Sequence, residues 1–213
     1  MPPAERLDMA RNVATDDIAI LIPAAGASSR MGGRDKLLEQ VDGTPLLARQ
    51  VARALATGAE VLVTVSQDHP ARKAALAPLA SARLHLCEID GREGMAVSLR
   101  EGAAWAIERG LSALMVVLAD MPELETEDFT ALLDAATEAP GSVIRAASAT
   151  GVAGHPVIIP QRLFEGLRSV TGDAGARGVL QGEQVRLTPR SGNRAVTDLD
   201  TPEDWARWRA ARR

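Results

Sequence analysis

The chain has 213 residues, of which 46% are apolar and 24% are charged, so it is expected to be a globular protein with a substantial core. Its formal net charge is −4, and it has no block of Lys and Arg residues. A nucleic acid, which requires a basic face, is therefore not expected as a partner.

The single cysteine, Cys87, excludes a disulfide within the chain, and its apolar surroundings predict a small buried side chain rather than a nucleophile. The first 16 residues are polar and are predicted to form a flexible tail, without the apolar segment of a secretion signal, in front of one domain over residues 17–213. The longest apolar run, residues 113–119, is too short to span a bilayer. We therefore expect a cytoplasmic protein with no membrane partner.

Apolar runs alternate with helical patterns over the first part of the domain, which predicts an α/β fold with a mostly parallel sheet. The strands predicted there are residues 18–22, 60–66, 83–88 and 113–118. The last of these is almost continuously apolar, as expected of a central strand that is covered on both faces. The predicted helices are residues 45–56, 70–79, 95–109 and one that has Thr126 as its cap.

After Pro140 and Gly141 the pattern loosens and predicts shorter elements. Strands are predicted over residues 143–147, 156–159, 185–187 and 195–199, with an antiparallel arrangement for the first two, and helices over residues 162–168 and 176–181. Thr201, followed by Pro202 and two acidic residues, marks the start of a last helix. Trp205 and Trp208 are predicted to pack this helix against the core.

The loop after the first predicted strand carries the most specific pattern in the chain. Residues 23–36 read PAAGASSRMGGRDK, which is neither a P-loop nor a Gly-x-Gly-x-x-Gly motif. Its small residues let backbone N–H groups approach a bulky anion; they are Ala24, Ala25, Gly26, Ser28 and Ser29. Arg30 and Lys36 add two positive charges, so the loop indicates a triphosphate site. The alternative is a tight turn with two surface cations.

Carboxylates in two other segments are candidate metal ligands. Asp120 follows the predicted central strand, and because ligands of parallel sheets bind at the carboxyl ends of strands, it should face the same crevice as the loop. A hard carboxylate suits Mg²⁺, so Asp120 is the main predicted ligand, and a helix-capping role is the alternative. Asp198 and Asp200 alternate near the last helix, and one of them is expected to complete the metal site. The sequence does not decide which, and the alternative is that both only favour the positive end of that helix.

The chain resembles nucleotidyltransferases with a MobA-like NTP transferase domain, and among them the molybdenum cofactor cytidylyltransferases. Three segments are similar to motifs that many such enzymes share: the loop around Arg30 and Lys36, Asp120-Met121-Pro122, and residues 198–204, DLDTPED. Two segments, Gly154-His155-Pro156 and residues 171–177, TGDAGAR, point to the cytidylyltransferase branch. The resemblance covers residues 18–210. It implies a Rossmann-like three-layer sandwich of the nucleotide-diphospho-sugar transferase type.

Roles for individual residues follow from the same resemblance. It implies that Arg30, Lys36 and Asp120 are catalytic, and that Gly94 and Ser98 join the loop in binding the nucleotide. His155 and Arg177 would bind the acceptor, through its phosphate or its pterin. The domain would then divide into a nucleotide half, about residues 17–140, and an acceptor half, about residues 141–213.

The activity that the resemblance implies is the Mg²⁺-dependent transfer of CMP from CTP to Mo-molybdopterin, with release of pyrophosphate. A molybdenum hydroxylase of the xanthine- or aldehyde-oxidising kind, or its maturation factor, would be a partner. Guanylyl transfer to the same cofactor is a rival activity, whose enzymes tend to have Ala-Gly-Gly where this chain has Ala24-Ala25-Gly26. A different NTP-dependent nucleotidylyl transfer is a second rival, and a carrier that inserts the cofactor without catalysis is a third. The presence of Arg30, Lys36 and Asp120 argues against a carrier.

Overall fold

The computed structural model describes residues 17–212, without the side chains of Glu93, Asp173 and Ala174. The strands in this part are β1 (Ile18–Ala24), β2 (Gln40–Val41), β3 (Thr44–Pro45), β4 (Val61–Ser66), β5 (Leu84–Ile89), β6 (Ala113–Val116), β7 (Val143–Ala147), β8 (Ala153–Pro160) and β9 (Val185–Pro189). The α-helices are α1 (Leu46–Leu55), α2 (Pro70–Leu76), α3 (Met95–Glu108), α4 (Thr126–Glu138), α5 (Phe164–Arg168) and α6 (Pro202–Ala211). The predicted flexible tail lies outside the described residues.

A seven-stranded sheet in the order β5-β4-β1-β6-β8-β7-β9 forms the middle layer. β1 pairs in parallel with β4 and β6, and β7 pairs in parallel with β9, whereas β8 runs antiparallel to both of its neighbours, β6 and β7. β6 lies in the centre and is buried along its whole length, as its apolar sequence predicts. The predicted mostly parallel α/β sheet is therefore confirmed.

The alternation of side chains along the strands builds a core on each face of the sheet. In β1, Ile20 packs with α1 and α4 on one face, whereas Leu21 packs with α3 and α5 on the other. Each fully buried side chain of this size contributes about 1.5–3 kcal/mol to stability. The result is the three-layer sandwich that the resemblance implies. Between residues 17 and 212, none of the helices has the length and apolar character needed to cross a membrane.

Three expectations about secondary structure differ from the structure. Residues 195–199 form no strand, because the carbonyl of Ala195 accepts a single hydrogen bond, from the backbone N–H of His155, instead of a ladder. Where a helix over residues 176–181 was expected, a 3₁₀ helix ends at Arg177, and it is interrupted by Gly175 at φ 55°. Thr126 begins α4, but the cap is Glu125, in a reciprocal capping box with Asp128.

Cys87 is half-buried rather than fully buried, and this burial raises the pKa of its thiol, with a smaller effect from the charge of Glu101. The hairpin of β2 and β3 was not predicted. It turns through Asp42 and Gly43 at φ values of 50° and 77°, a turn that suits Asp-Gly. Strands of two residues are too short to produce an alternating pattern.

Candidate active site

The candidate site lies where the order of the strands reverses. The chain runs from β1 to β4 and β5 on one side and then returns to β6 on the other, so the carboxyl ends of β1 and β6 flank a crevice. Residues from three predicted segments line a pocket there: Pro23, Ala24, Ala25, Gly26, Lys36, Leu37, Gly94, Met95, Ser98, Leu118, Ala119 and Asp120. The structure thus brings together most of the residues that were predicted to bind the nucleotide.

The loop after β1 changes direction at Ser28, which has a left-handed backbone with φ 50°. A 3₁₀ turn follows over Ser29–Met31, in which Met31 is buried and Arg30 is exposed. Ser29 is also exposed, and neither serine lines the pocket. Ser28 and Ser29 therefore lie beside the pocket rather than in it.

Arg72, in α2, forms hydrogen bonds with this loop. It was not identified as a site residue from the sequence. Its side chain is completely buried. Its guanidinium donates to both carboxylate oxygens of Asp35, at 2.7 and 2.9 Å, to the carbonyls of Ala24 and Gly26, both at 2.7 Å, and to Ser28 Oγ at 3.0 Å. All five N–H donors of the arginine are used in this way. A buried charge that is paired and fully hydrogen-bonded can specify one loop geometry.

Replacing Arg72 with lysine should destabilise the protein and weaken nucleotide binding. Lysine keeps the charge but has three donors, so some of the acceptors stay unpaired, at about 1–3 kcal/mol for each buried group. Urea unfolding and NTP titration measure the two effects. Lys73→Ala is the matched control, since Lys73 is exposed and pairs with Glu88 at the surface. A stable Arg72→Lys protein with unchanged NTP affinity would contradict the proposed support of the loop.

A cluster of alternating charges joins the loop to the far end of the chain. Lys36 Nζ lies 2.5 Å from Asp120 Oδ2 and 2.6 Å from Asp200 Oδ1, and Arg30 Nη2 lies 2.7 Å from Asp200 Oδ2. Burial acts to lower the pKa of Lys36, but the charges and hydrogen bonds of Asp120 and Asp200 outweigh it and raise that pKa above its usual value. Lys36 is therefore a cation over the whole physiological pH range.

A small core fixes the two sides of this cluster. Met31, next to Arg30, and Leu199, next to Asp200, pack with Trp205 and Trp208 of α6. The predicted packing of this last helix by its tryptophans is confirmed. The backbone N–H of Leu199 also donates to the carbonyl of Asp120 at 3.0 Å. The last segment is thus anchored against both the loop and the end of β6.

The carboxylates are more numerous than the cations that neutralise them. Asp120 Oδ1 is buried and has no hydrogen-bond partner among the described residues. Asp198 is largely exposed, and partial burial together with the charges of Asp120 and Asp200 raises the pKa of its carboxyl. An unpartnered carboxylate oxygen beside excess negative charge fits a divalent cation.

No group of three or more His, Cys, Asp and Glu side chains in the described part of the chain is arranged to hold a metal ion. Lys36 instead lies between Asp120 and Asp200. The metal ligands Asp120, Asp198 and Asp200 therefore stay a prediction.

Ser98 lies on the floor of the pocket and is buried. Its Oγ is 2.8 Å from Oγ1 of Thr64, a buried residue of β4 that was not singled out in the sequence. Ala25 is also buried, in a small apolar cluster with Ile89 and Val97. A Cβ at Gly91 would lie 2.3 Å from the carbonyl oxygen of Ala25, so this close approach of two loops requires glycine.

The two predicted acceptor residues lie on different elements. His155, in β8, is half-buried, and its Nδ1 is buried without a partner in the described part. Burial and the charge of Arg145 lower the pKa of His155 to about 4, so its ring is neutral at physiological pH. Arg177 is exposed, and its side chain forms no hydrogen bond or ion pair with a described side chain. The sequence also allows an ion pair of Arg177 with Asp173, whose side chain lies outside the described part.

Comparisons with known proteins identify related chains. The sequence model of the MobA-like NTP transferase domain matches residues 20–188. The purine catabolism protein PucB of Bacillus subtilis is 27% identical over 192 residues, covering 85% of this chain and 91% of that protein. The molybdenum cofactor guanylyltransferase of Bradyrhizobium sp. is 33% identical over 188 residues, covering 86% and 83%.

Solved structures share the fold. Rv0371c of Mycobacterium tuberculosis is 24% identical with a TM-score of 0.73, covering 90% of this chain and 96% of that one. CMP:2-keto-3-deoxy-manno-octonic acid synthetase is 16% identical with a TM-score of 0.70, covering 92% and 98%. The predicted nucleotide-diphospho-sugar transferase type of fold is confirmed by these likenesses.

Proposed function

Because the chain belongs to the family of MobA-like NTP transferase domains, and is thus a nucleotidyltransferase, we propose that it transfers CMP from CTP to the phosphate of Mo-molybdopterin. The observation that best supports nucleotidyl transfer is the charge cluster of Arg30, Lys36, Asp120 and Asp200, which lies where the order of the strands reverses. A carrier that only binds its cargo needs no such cluster. The relatives named as molybdenum cofactor guanylyltransferases support the acceptor.

The proposed reaction is an in-line displacement at phosphorus. An oxygen of the acceptor phosphate attacks the α-phosphorus of the NTP and forms the new P–O bond, while the bond to the β-phosphate breaks and pyrophosphate leaves. A phosphate monoester is largely ionised at neutral pH, so no general base is needed. The protein contributes position and positive charge, through the backbone N–H groups of the loop together with Arg30 and Lys36.

We propose Mg²⁺ as the cofactor, held by Asp120 with Asp198, Asp200 or both. When bound, it would supply additional positive charge at the phosphates. Lys36 would then exchange a carboxylate for a phosphate oxygen when the nucleotide binds. The proposed nucleotide half and acceptor half both take part in this arrangement, since Asp198 and Asp200 come from the second.

The choice of base rests on the pocket beside Ala25. Its volume is about 130 Å³ and Ala25 lines it, so a purine, the larger ring system, would need more of this space than a pyrimidine. Ser98 Oγ offers a polar group on the floor of the pocket. The second candidate is guanylyl transfer to the same acceptor, and the names of several relatives favour it.

The recipient of the product would be a molybdenum hydroxylase of the xanthine- or aldehyde-oxidising kind, or its maturation factor. The name of the Bacillus subtilis relative, a purine catabolism protein, agrees with a purine-oxidising recipient. Co-purification of such an enzyme with this chain would support the pairing.

The experiment that tests the function is incubation with Mo-molybdopterin, Mg²⁺ and each of the four NTPs in turn. Pyrophosphate release and mass analysis of the nucleotide freed by hydrolysis identify the product. CMP is the expected nucleotide. GMP would establish the second candidate, and the absence of any transfer, with molybdopterin bound and released unchanged, would favour a carrier.

Replacing Ala25 with glycine should relax the preference for CTP over GTP. The methyl group of Ala25 occupies space next to Ile89 and Val97, and steric discrimination of this kind is worth about 1–3 kcal/mol. The measurement is the ratio of kcat/KM for CTP and GTP in both proteins. Ala27→Gly, at an exposed position in the same loop, controls for added flexibility. An equal change of the ratio in both variants would remove Ala25 from base selection.

A further inference from the structure

Arg145, in β7, is an arginine whose charge is not neutralised by the described part of the protein. Its Nε donates to the carbonyl of Gly154 at 2.8 Å, which fixes the plane of the guanidinium. Its two terminal amino groups have no hydrogen bond or ion pair with any residue whose side chain the structure describes. The side chain is half-buried. Burying a cation without a partner is unfavourable, so an arginine that is oriented by one hydrogen bond and has no ion pair in the described part is suited to bind an anion.

Arg145 lies close to the acceptor candidate His155. Arg145 is opposite Val157 in the register of β7 and β8, and Val157 packs in the core on the α3 face. The register of β7 and β8 shifts between Arg145 and Ala147, so His155 is placed instead by its neighbour Gly154, whose carbonyl accepts from Arg145 Nε. The charge of Arg145 acts on the imidazole of His155, and that of Asp120 does so too. Val157 pairs with Val116, the last residue of β6, on one side and with Arg145 on the other, so Arg145 lies two strands away from the end of β6.

The backbone next to the two side chains is closely packed. A Cβ at Gly154 would lie 1.7 Å from the carbonyl oxygen of Ala195, and the N–H of His155 donates to the same oxygen at 2.8 Å. Any side chain at Gly154 would therefore separate β8 from the segment that leads to Asp198 and Asp200. Gly154 and His155 thus connect Arg145 to the segment that carries Asp198 and Asp200, through one hydrogen bond on each side.

We propose that Arg145 binds the anionic group of the acceptor, a phosphate monoester, beside His155. The two free amino groups of a guanidinium match two oxygens of a phosphate, which a single ammonium group cannot do. The proposal rests on the proposed function in that the acceptor is phosphorylated. It assigns the binding of this group to β7 and β8, whereas the exposed Arg177 would at most assist.

Direct binding tests the proposal separately from catalysis. Molybdopterin and inorganic phosphate are titrated against the full chain without NTP, in the wild type and in Arg145→Gln, Arg145→Lys and Arg177→Gln variants. Arg186→Gln is the matched control, because Arg186 lies opposite Ile144 in the neighbouring strand β9 and pairs with the exposed Glu138. Thermal unfolding of each variant reports whether the Arg145–Gly154 contact is only structural.

Arg145→Gln should weaken molybdopterin binding at least tenfold, and Arg145→Lys should weaken it less, with the affinity for NTP and the melting temperature nearly unchanged. Arg186→Gln should bind like the wild type. Binding within twofold of the wild type in Arg145→Gln, a loss confined to Arg177→Gln, or equal losses of NTP and molybdopterin affinity would each overturn the proposal. A wild type that binds phosphate through Arg145 but forms no dinucleotide would overturn the proposed function alone.

Discussion

Lys36→Ala is expected to lower the rate of nucleotidyl transfer by ~10²–10³-fold, the usual cost of losing one electrostatic contact to the transition state. Lys36 is the only side chain of the described residues that contacts both Asp120 and Asp200. Burial acts to lower the pKa of Lys36, but these two carboxylates raise it above its usual value, so Lys36 stays positively charged. Single-turnover pyrophosphate release under saturating CTP and Mg²⁺ measures the effect on the chemical step.

Arg34→Ala is the matched control for Lys36→Ala. Arg34 lies two residues earlier, is also a cation, and pairs with Glu39 at the surface. Its removal should change turnover little if the effect of Lys36 depends on where its ammonium group lies and not on the net positive charge of the loop. A well-folded Lys36→Ala protein with nearly normal turnover would remove Lys36 from the catalytic machinery.

Asp120→Asn is expected to raise the Mg²⁺ concentration needed for half-maximal activity by more than roughly 100-fold. Loss of a residue that only supports a metal ligand typically weakens metal binding by roughly 10–100-fold, and loss of a ligand itself should have a larger effect. The amide keeps the shape of the side chain but loses the charge that holds a cation. The buried, unpartnered Oδ1 of Asp120 is the atom concerned. Mg²⁺ titration of pyrophosphate release gives both the midpoint and the maximum.

Asp198→Asn and Asp200→Asn, compared with Asp120→Asn, identify the second ligand. Asp200→Asn also breaks the contacts with Arg30 and Lys36, so it should lower the maximal rate as well as shift the midpoint. Asp198→Asn should affect the midpoint alone if Asp198 is a ligand. Unchanged Mg²⁺ dependence in Asp120→Asn would mean that Asp120 acts only as the partner of Lys36.

Local patterns in the sequence predicted the fold class and the parts of the site that lie next to strand ends. The apolar run of β6 predicted both its central position and the location of Asp120, and the small residues of the loop predicted its place in the pocket. Such signals are contained in a few consecutive residues. The site residues that were matched by resemblance alone, such as Arg177, still await a test of their role.

Contacts between distant residues could not be predicted in this way. The partners of Arg72 are 37 to 48 positions away in sequence, so nothing near Arg72 distinguishes it from a surface arginine. The reversed direction of β8 and the contact between Ala195 and His155 likewise depend on tertiary packing. Residues 195–199 alternate like a strand because Ala195 and Leu199 are buried, yet they form no ladder.

The ion pair between Lys36 and Asp200 also determines when, during translation, the site can form. The two residues are 164 positions apart, which at roughly 5–20 residues per second separates their incorporation by roughly 8–33 s. During that interval a nascent chain already contains Lys36 and Asp120 but lacks Asp200 and the tryptophans of α6. Such a chain cannot hold nucleotide in the final geometry. Ribosome-bound nascent chains should therefore show no nucleotidyl transfer until α6 has emerged.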